Sequence, residues 1–278
     1  IENIDNLPPL PAIVSRLIQV VNSPDSSAED AAKLIEQDPA LTSKMIRLAN
    51  SAFYGIPRSI SSVASAVVIL GFNTIRSLAL SASVIKMFSS VQSTVIDKNR
   101  FWRHSITCAI AAKTIVRHFM NVRMMDPESA FCAGILHDIG KLIFNEYVHE
   151  GYQEACQYAL TNKIPMLEAE KLILGIDHAE IGRIIADKWA LPLDLEYSLV
   201  YHHKPQDADK LSELVTTVHM ADLLAHRVGC GLWEDEYCNE EWINARTVLQ
   251  LQEDDYEKIR ESLVENTEKS IEFFTIIN

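Results

Sequence analysis

The chain has 278 residues, of which 48% are hydrophobic and 23% charged, with nine Gly and ten Pro. This composition excludes wholesale disorder and a linker-dominated chain, and the length is enough for a sizeable core without disulfide or metal staples. Its 25 Lys+Arg against 38 Asp+Glu give a net charge of −13, which repels phosphate backbones and argues against nucleic-acid binding as the main task.

Helical periodicity dominates from the start. Residues 11–22 place Ile13, Leu17, Val20 and Val21 on one face. Ser26 and Glu29 read as a capping box ahead of Ala31, Leu34 and Ile35. Pro39 opens a helix carrying Leu41, Met45, Ile46 and Leu48, which Asn50, Ser51 and Gly55–Ile56–Pro57 interrupt. The turn Asn50–Gly55 carries Phe53 and Tyr54, expected in the core. Helices over 63–70, stopped by Gly71, and over 73–88 complete about five short helices. The polar, Ser-rich stretch 89–97 is a candidate linker.

Longer helices follow at about 98–120, 127–146, 151–161, 165–174, 178–189, 193–203 and 209–228, then a loop over 229–240 and helices near 241–249 and 254–275. No strand-like alternation with hairpin turns appears. The expected fold is all-α: a small N-terminal lobe over 1–92, a larger lobe over 93–227 and an acidic helical extension over 228–278. The charge follows this division, with net +1 over 1–100, −5 over 101–227 and −9 over 228–278. Arg47, Arg58 and Arg76 form no basic cluster that would favour nucleic acid.

No apolar run reaches the roughly 18 residues of a spanning helix, and no secretory signal is visible. The chain opens on Ile1 and is expected to begin inside a longer protein or after a removed tag. Cys108, Cys132, Cys156, Cys230 and Cys238 are an odd set without C-x-x-C. A reduced, cytoplasmic protein is expected, with Cys108 and Cys132 as small buried residues.

Seven positions in the larger lobe stand out: His104, His137–Asp138, His178, His202–His203 and Asp222. Imidazole with carboxylate suits Fe, Mn, Zn, Co or Ni better than Ca or Mg. An Asp beside a His lets Asp138 bridge two ions while His137 binds one, and paired ions can direct hydroxide at phosphorus. Met220, Leu223 and Leu224 around Asp222 point that carboxylate inward. Lys141, one turn after Asp138, reads either as a phosphate contact or as a surface salt-bridging lysine. His118, His149, His219 and His226 read as structural histidines.

The order His104, His137–Asp138, His178, His202–His203, Asp222 resembles the HD superfamily of metal-dependent phosphohydrolases. Further motifs bring it nearer one branch. They are Leu7–Pro8–Pro9–Leu10–Pro11, Asp38–Pro39–Ala40–Leu41–Thr42, Leu48–Ala49–Asn50–Ser51–Ala52–Phe53–Tyr54–Gly55, Phe101–Trp102–Arg103–His104–Ser105, Gly134–Ile135–Leu136–His137–Asp138–Ile139–Gly140–Lys141, His178–Ala179–Glu180–Ile181–Gly182 and Trp189–Ala190–Leu191–Pro192. Over roughly residues 7–227 the chain resembles the HDOD domain, a signalling-output relative of the HD fold. That resemblance implies a bacterial regulatory module with a signalling protein partner or a small phosphorylated ligand, and a metal-capable site holding one or two divalent ions (Fe, Mn, Zn or Ni). The alternative is a metal-dependent phosphohydrolase acting on a nucleotide or phosphoester, with Asp138 and Lys141 in catalytic roles. His202–His203 is followed by Lys204–Pro205–Gln206–Asp207 rather than Gly-Tyr-Pro, so the cyclic-di-GMP hydrolase branch is not the match.

Overall fold

The computed structural model describes residues 9–22, 26–88, 95–118, 125–232, 239–265, 272–273 and 275–276. Among the described residues there is no strand, and no helix is long and apolar enough to cross a membrane. The chain forms two compact units. Of the described residues, those of 9–88 combine with those beyond 264 in one unit, and those of 95–264 form the other. Most of the proposed linker, 89–94, lies outside the described residues, as does Cys238.

In the smaller unit the helices are α1 (Ala12–Asn22), α2 (Ala28–Ile35), α3 (Pro39–Ala49), α4 (Val63–Leu70) and α5 (Phe72–Met87). The cap of α2 lies one residue later than the sequence suggests. Ser27 accepts from the Asp30 amide while Asp30 accepts from the Ser27 amide, because this register turns Ala31, Ala32, Leu34 and Ile35 inward. Asp38 caps α3 through the Ala40 and Leu41 amides, with Pro39 in the first turn where its missing N–H costs nothing. Asn50 then closes the following turn: its Nδ2 donates to the Ile46 and Ile60 carbonyls, and its Oδ1 accepts from the Ile60 amide. Phe53 and Tyr54 are half-buried. Phe53 packs on Tyr54 at 5.0 Å and on Phe273 at 5.5 Å between ring centroids, and the Ala52 amide donates to Glu272 Oε2 at 3.1 Å.

The larger unit contains α6 (Lys98–His118), α7 (Pro127–Leu136), α8 (Ile139–Tyr147), α9 (His149–Asn162), α10 (Met166–Leu174), α11 (His178–Trp189), α12 (Leu193–Tyr201), a 3-10 turn (Pro205–Asp207), α13 (Ser212–Arg227), α14 (Asn239–Val248) and α15 (Glu253–Glu265). The helix expected over 127–146 is in fact two helices. The chain leaves helical geometry at Asp138 (φ −98°, ψ 8°) and re-enters it at Ile139. Apolar residues run on both sides of the break and hide it: Phe131, Ile135 and Leu136 before, Ile139, Leu142 and Ile143 after, all buried. Helix α7 packs against α6, α12 and α13, while α11 packs against α8 and α12.

Two close approaches depend on glycine. A Cβ on Gly134 would lie 2.6 Å from Ala109 Cα, so Gly134 lets α7 press onto the α6 backbone. A Cβ on Gly140 would overlap the His178 carbonyl oxygen. Gly140 therefore sets how near the start of α8 comes to the start of α11.

Candidate metal centre

The histidines and aspartates singled out in the sequence meet inside the larger unit. His104 comes from the first half of α6, His137 and Asp138 from the α7–α8 break, and His178 from the first residue of α11. His202 and His203 follow the end of α12, and Asp222 lies in α13. Six of these seven are buried, and His203 is half-buried. Pro205 confines the chain after His202–His203 to a 3-10 turn, fixing both rings near the end of α12.

The break between α7 and α8 aims Asp138. An aspartate at a helix N-terminus ordinarily accepts from the backbone amides of the first turn, but Asp138 makes no such bond. Its Oδ2 instead accepts from Lys141 Nζ at 2.7 Å and lies 3.5 Å from both His104 Nε2 and His137 Nε2. Its Oδ1 lies 3.3 Å from His178 Nε2 and 3.6 Å from His202 Nε2, and has no hydrogen-bond partner. One carboxylate thus faces two groups of donors. Asp222 Oδ1 lies 3.3 Å from His104 Nε2 and 4.0 Å from His137 Nε2.

The outer nitrogens fix the tautomers. His104 Nδ1 donates to the Cys230 carbonyl at 3.1 Å, His137 Nδ1 to the Gly134 carbonyl at 2.9 Å, and His202 Nδ1 to the Ser198 and Leu199 carbonyls at 3.1 and 3.0 Å. His178 Nδ1 donates to Glu170 Oε2 at 2.6 Å. Carbonyls and carboxylates can only accept, so each of these rings carries a hydrogen on Nδ1 and turns its Nε2 toward the centre. Four imidazole Nε2 atoms converge on two carboxylates, and His178 Nε2 also lies 2.8 Å from His203 Nε2. His104 Nε2 and His137 Nε2 lie 3.4 Å apart, and buried His202 Nε2 has no partner. That donor set fits a cation, and the outer hydrogen bonds are those that orient metal-binding imidazoles.

The protonation preferences agree. Burial disfavours a charged Asp138, yet Lys141 first, then His137, hold its carboxyl well below the usual range. Burial likewise opposes charge on Asp222, but His104 above all keeps it ionised. Burial alone would lower His104, but Cys108 and the two aspartates outweigh it and raise this imidazole well above its ordinary value. His137 is driven down to about 3, mainly by burial, and burial followed by His202 and His178 keeps His203 neutral. Positive charge is therefore most favoured at His104 Nε2, between the two carboxylates, where a metal ion would compete with a proton.

Several residues differ from their sequence reading. Lys141 is 6% exposed, so it is not a surface lysine but half of a buried ion pair. His226, read as structural, places Nε2 3.5 Å from Asp222 Oδ1 and its ring 5.2 Å from that of His104. Cys108 places Sγ 3.6 Å from His104 Nε2. Glu170, not singled out at all, accepts from both the His178 amide and its Nδ1. Two of the four carry a common signal: Cys108 and His226 each lie four residues after a predicted ligand, on the same helix face.

Two groups of donors gather within 4.8 Å: His104, Cys108, His137 and Asp222, and separately Asp138, His178, His202 and His203. The sequence profile of the HDOD domain matches residues 7–205. The chain belongs to the HDOD domain family. An HDOD domain protein of unknown function from Geobacter sulfurreducens is 25% identical, with a TM-score of 0.79 over 99% of this chain and 94% of that one. A "putative phosphohydrolase" from Shewanella amazonensis SB2B is also 25% identical, with a TM-score of 0.78 over 100% and 97% of the two chains. An uncharacterized protein of Treponema pallidum (strain Nichols) is 24% identical over 223 residues, 80% of this chain. The match spans 42% of the length of that curated relative. The HDOD fold here carries a buried His/Asp cluster able to bind metal.

Proposed function

We propose that the chain is a bacterial, cytoplasmic regulatory output module in which a divalent metal centre holds the larger lobe in its signalling-competent packing. His104, His137 and Asp222 would hold one ion and His178, His202 and His203 a second, with Asp138 between them and Fe, Mn, Zn or Ni as the metal. The supporting observation is the convergence of four imidazole Nε2 atoms on two buried carboxylates. Six of the seven side chains are buried, which suits an ion that organises helices better than one that turns over substrate. The partner would be a signalling protein or a small phosphorylated ligand.

Elemental analysis of protein purified without chelator tests this reading. One or two ions per chain are expected, with no turnover of bis(p-nitrophenyl) phosphate or nucleoside phosphates after Mn or Fe loading. Metal-free protein that takes up none of these ions would overturn it.

A second reading is a metal-dependent phosphohydrolase acting on a nucleotide or phosphoester. Lys141 favours it, as an ammonium 2.7 Å from Asp138 beside the same cluster, and so does the name of the Shewanella relative. Bound ions would supply Lewis acidity, while Asp138 would hold the centre and Lys141 would offset negative charge on a phosphoryl group. Turnover that disappears in both His137→Ala and Asp138→Ala, along with bound metal, would select this reading over the first.

A further inference from the structure

We infer that Cys108 is a direct metal ligand, making the first of the two positions a thiolate site selective for thiophilic ions. The inference rests on the proposed metal centre and deepens it. Cys108 lies one helical turn after His104 on α6, so both side chains leave the same face. Its Sγ belongs to the donor group formed with His104, His137 and Asp222.

The three spacings from His104 Nε2 suit a four-coordinate ion, while His137 Nε2 and Asp222 Oδ1, 4.0 Å apart, would close slightly on binding. Metal–sulfur and metal–nitrogen bonds of about 2.3 and 2.0–2.1 Å at tetrahedral angles put S and N about 3.6 Å apart, and two N atoms about 3.4 Å apart. Cys108 Sγ lies 3.6 Å from His104 Nε2, and His104 Nε2 lies 3.4 Å from His137 Nε2. Asp222 Oδ1 is 3.3 Å from His104 Nε2.

The fourth corner has a second contender in Asp138 Oδ2, which lies 3.5 Å from both imidazoles. That oxygen already accepts from Lys141 at 2.7 Å. The unpartnered oxygen of Asp138 is Oδ1, and it faces His178 and His202. Asp138 therefore leans toward the second position, and Cys108 completes the first.

The two positions then differ in kind. The first offers thiolate, carboxylate and two imidazoles, a set for Zn, Fe or Co, while the second offers three imidazoles and a carboxylate. The thiol proton is released on binding.

Cobalt(II) loading of the full chain tests this. Wild type should take up two equivalents and develop a near-ultraviolet sulfur-to-cobalt charge-transfer band with the first. Cys108→Ser should lose that band, keep the ligand-field bands of the second ion, and bind the first at least roughly 10–100-fold more weakly, the cost of losing even an outer partner. X-ray absorption of zinc-loaded wild type should show a sulfur neighbour at about 2.3 Å, which needs no variant to fold. Cobalt bound without the band, or a band that survives in Cys108→Ser, overturns the thiolate ligand while leaving the metal centre standing. Failure to bind cobalt or zinc at all overturns both.

Discussion

Lys141 and Asp138 form an ion pair with both side chains almost wholly out of water. Removing one partner of such a pair leaves the other as an uncompensated buried charge, at a cost of roughly 3–5 kcal/mol. Lys141→Met should therefore lower the unfolding free energy of chelator-treated protein by about that amount. With Zn or Mn present the loss should be clearly smaller, because the ion would neutralise Asp138. Denaturant midpoints measured with and without metal check this, and equal losses in both conditions would count against an ion beside Asp138. Glu170 gives a second residue-scale test. Its Oε2 orients His178 through two hydrogen bonds, so Glu170→Gln should weaken metal binding roughly 10–100-fold in a chelator competition. The H-D pair, the spaced histidines and the late Asp222 were legible in the sequence because they stand out as a motif. Glu170 was not, since an orienting carboxylate has no fixed spacing: it lies eight residues before His178 and reaches it only through the α10–α11 connection.

At the scale of elements, the helices were readable wherever polarity punctuates them. Helix α4 ends at Gly71, and α3 begins at Pro39 behind an Asp38 cap. The α7–α8 break was not readable, because apolar periodicity continues through it and His137–Asp138 carries none of the usual stop signals. Its geometry is imposed from outside, by the packing of α7 on α6 and of α8 on α11. Gly140 makes the second of these possible. Gly140→Ala must push α8 away from the His178 carbonyl, which should destabilise the fold by about 1–3 kcal/mol and separate Asp138 from His178. Metal stoichiometry should fall together with the melting temperature. A variant with unchanged metal content would mean that the break tolerates movement without loss of the site.

For the whole molecule, the sequence placed an acidic extension after residue 227, and its net charge of −9 was plain. Where that segment packs was not, because amphipathic helices do not name their partners. Helix α14 packs on α13, and Arg227 sits over the Trp242 ring at 4.1 Å. The described residues beyond 264 instead join the unit built from residues 9–88. Phe273 is fully buried there, against Phe53. Phe273→Ala should cost roughly 3–5 kcal/mol, and hydrogen exchange should quicken around Ser51–Gly55. Unchanged exchange there would show that the turn holds without its aromatic partner.

That return of the chain sets when this unit can be completed during synthesis. The Ala52 amide meets a carboxylate 220 positions further along. At about 5–20 residues per second, roughly 10–40 s separate synthesis of α5 from synthesis of Phe273. During that interval the turn at Phe53 lacks the ring of Phe273 that packs on it in the folded unit. Of the two units, the one whose synthesis starts first is thus the one completed last.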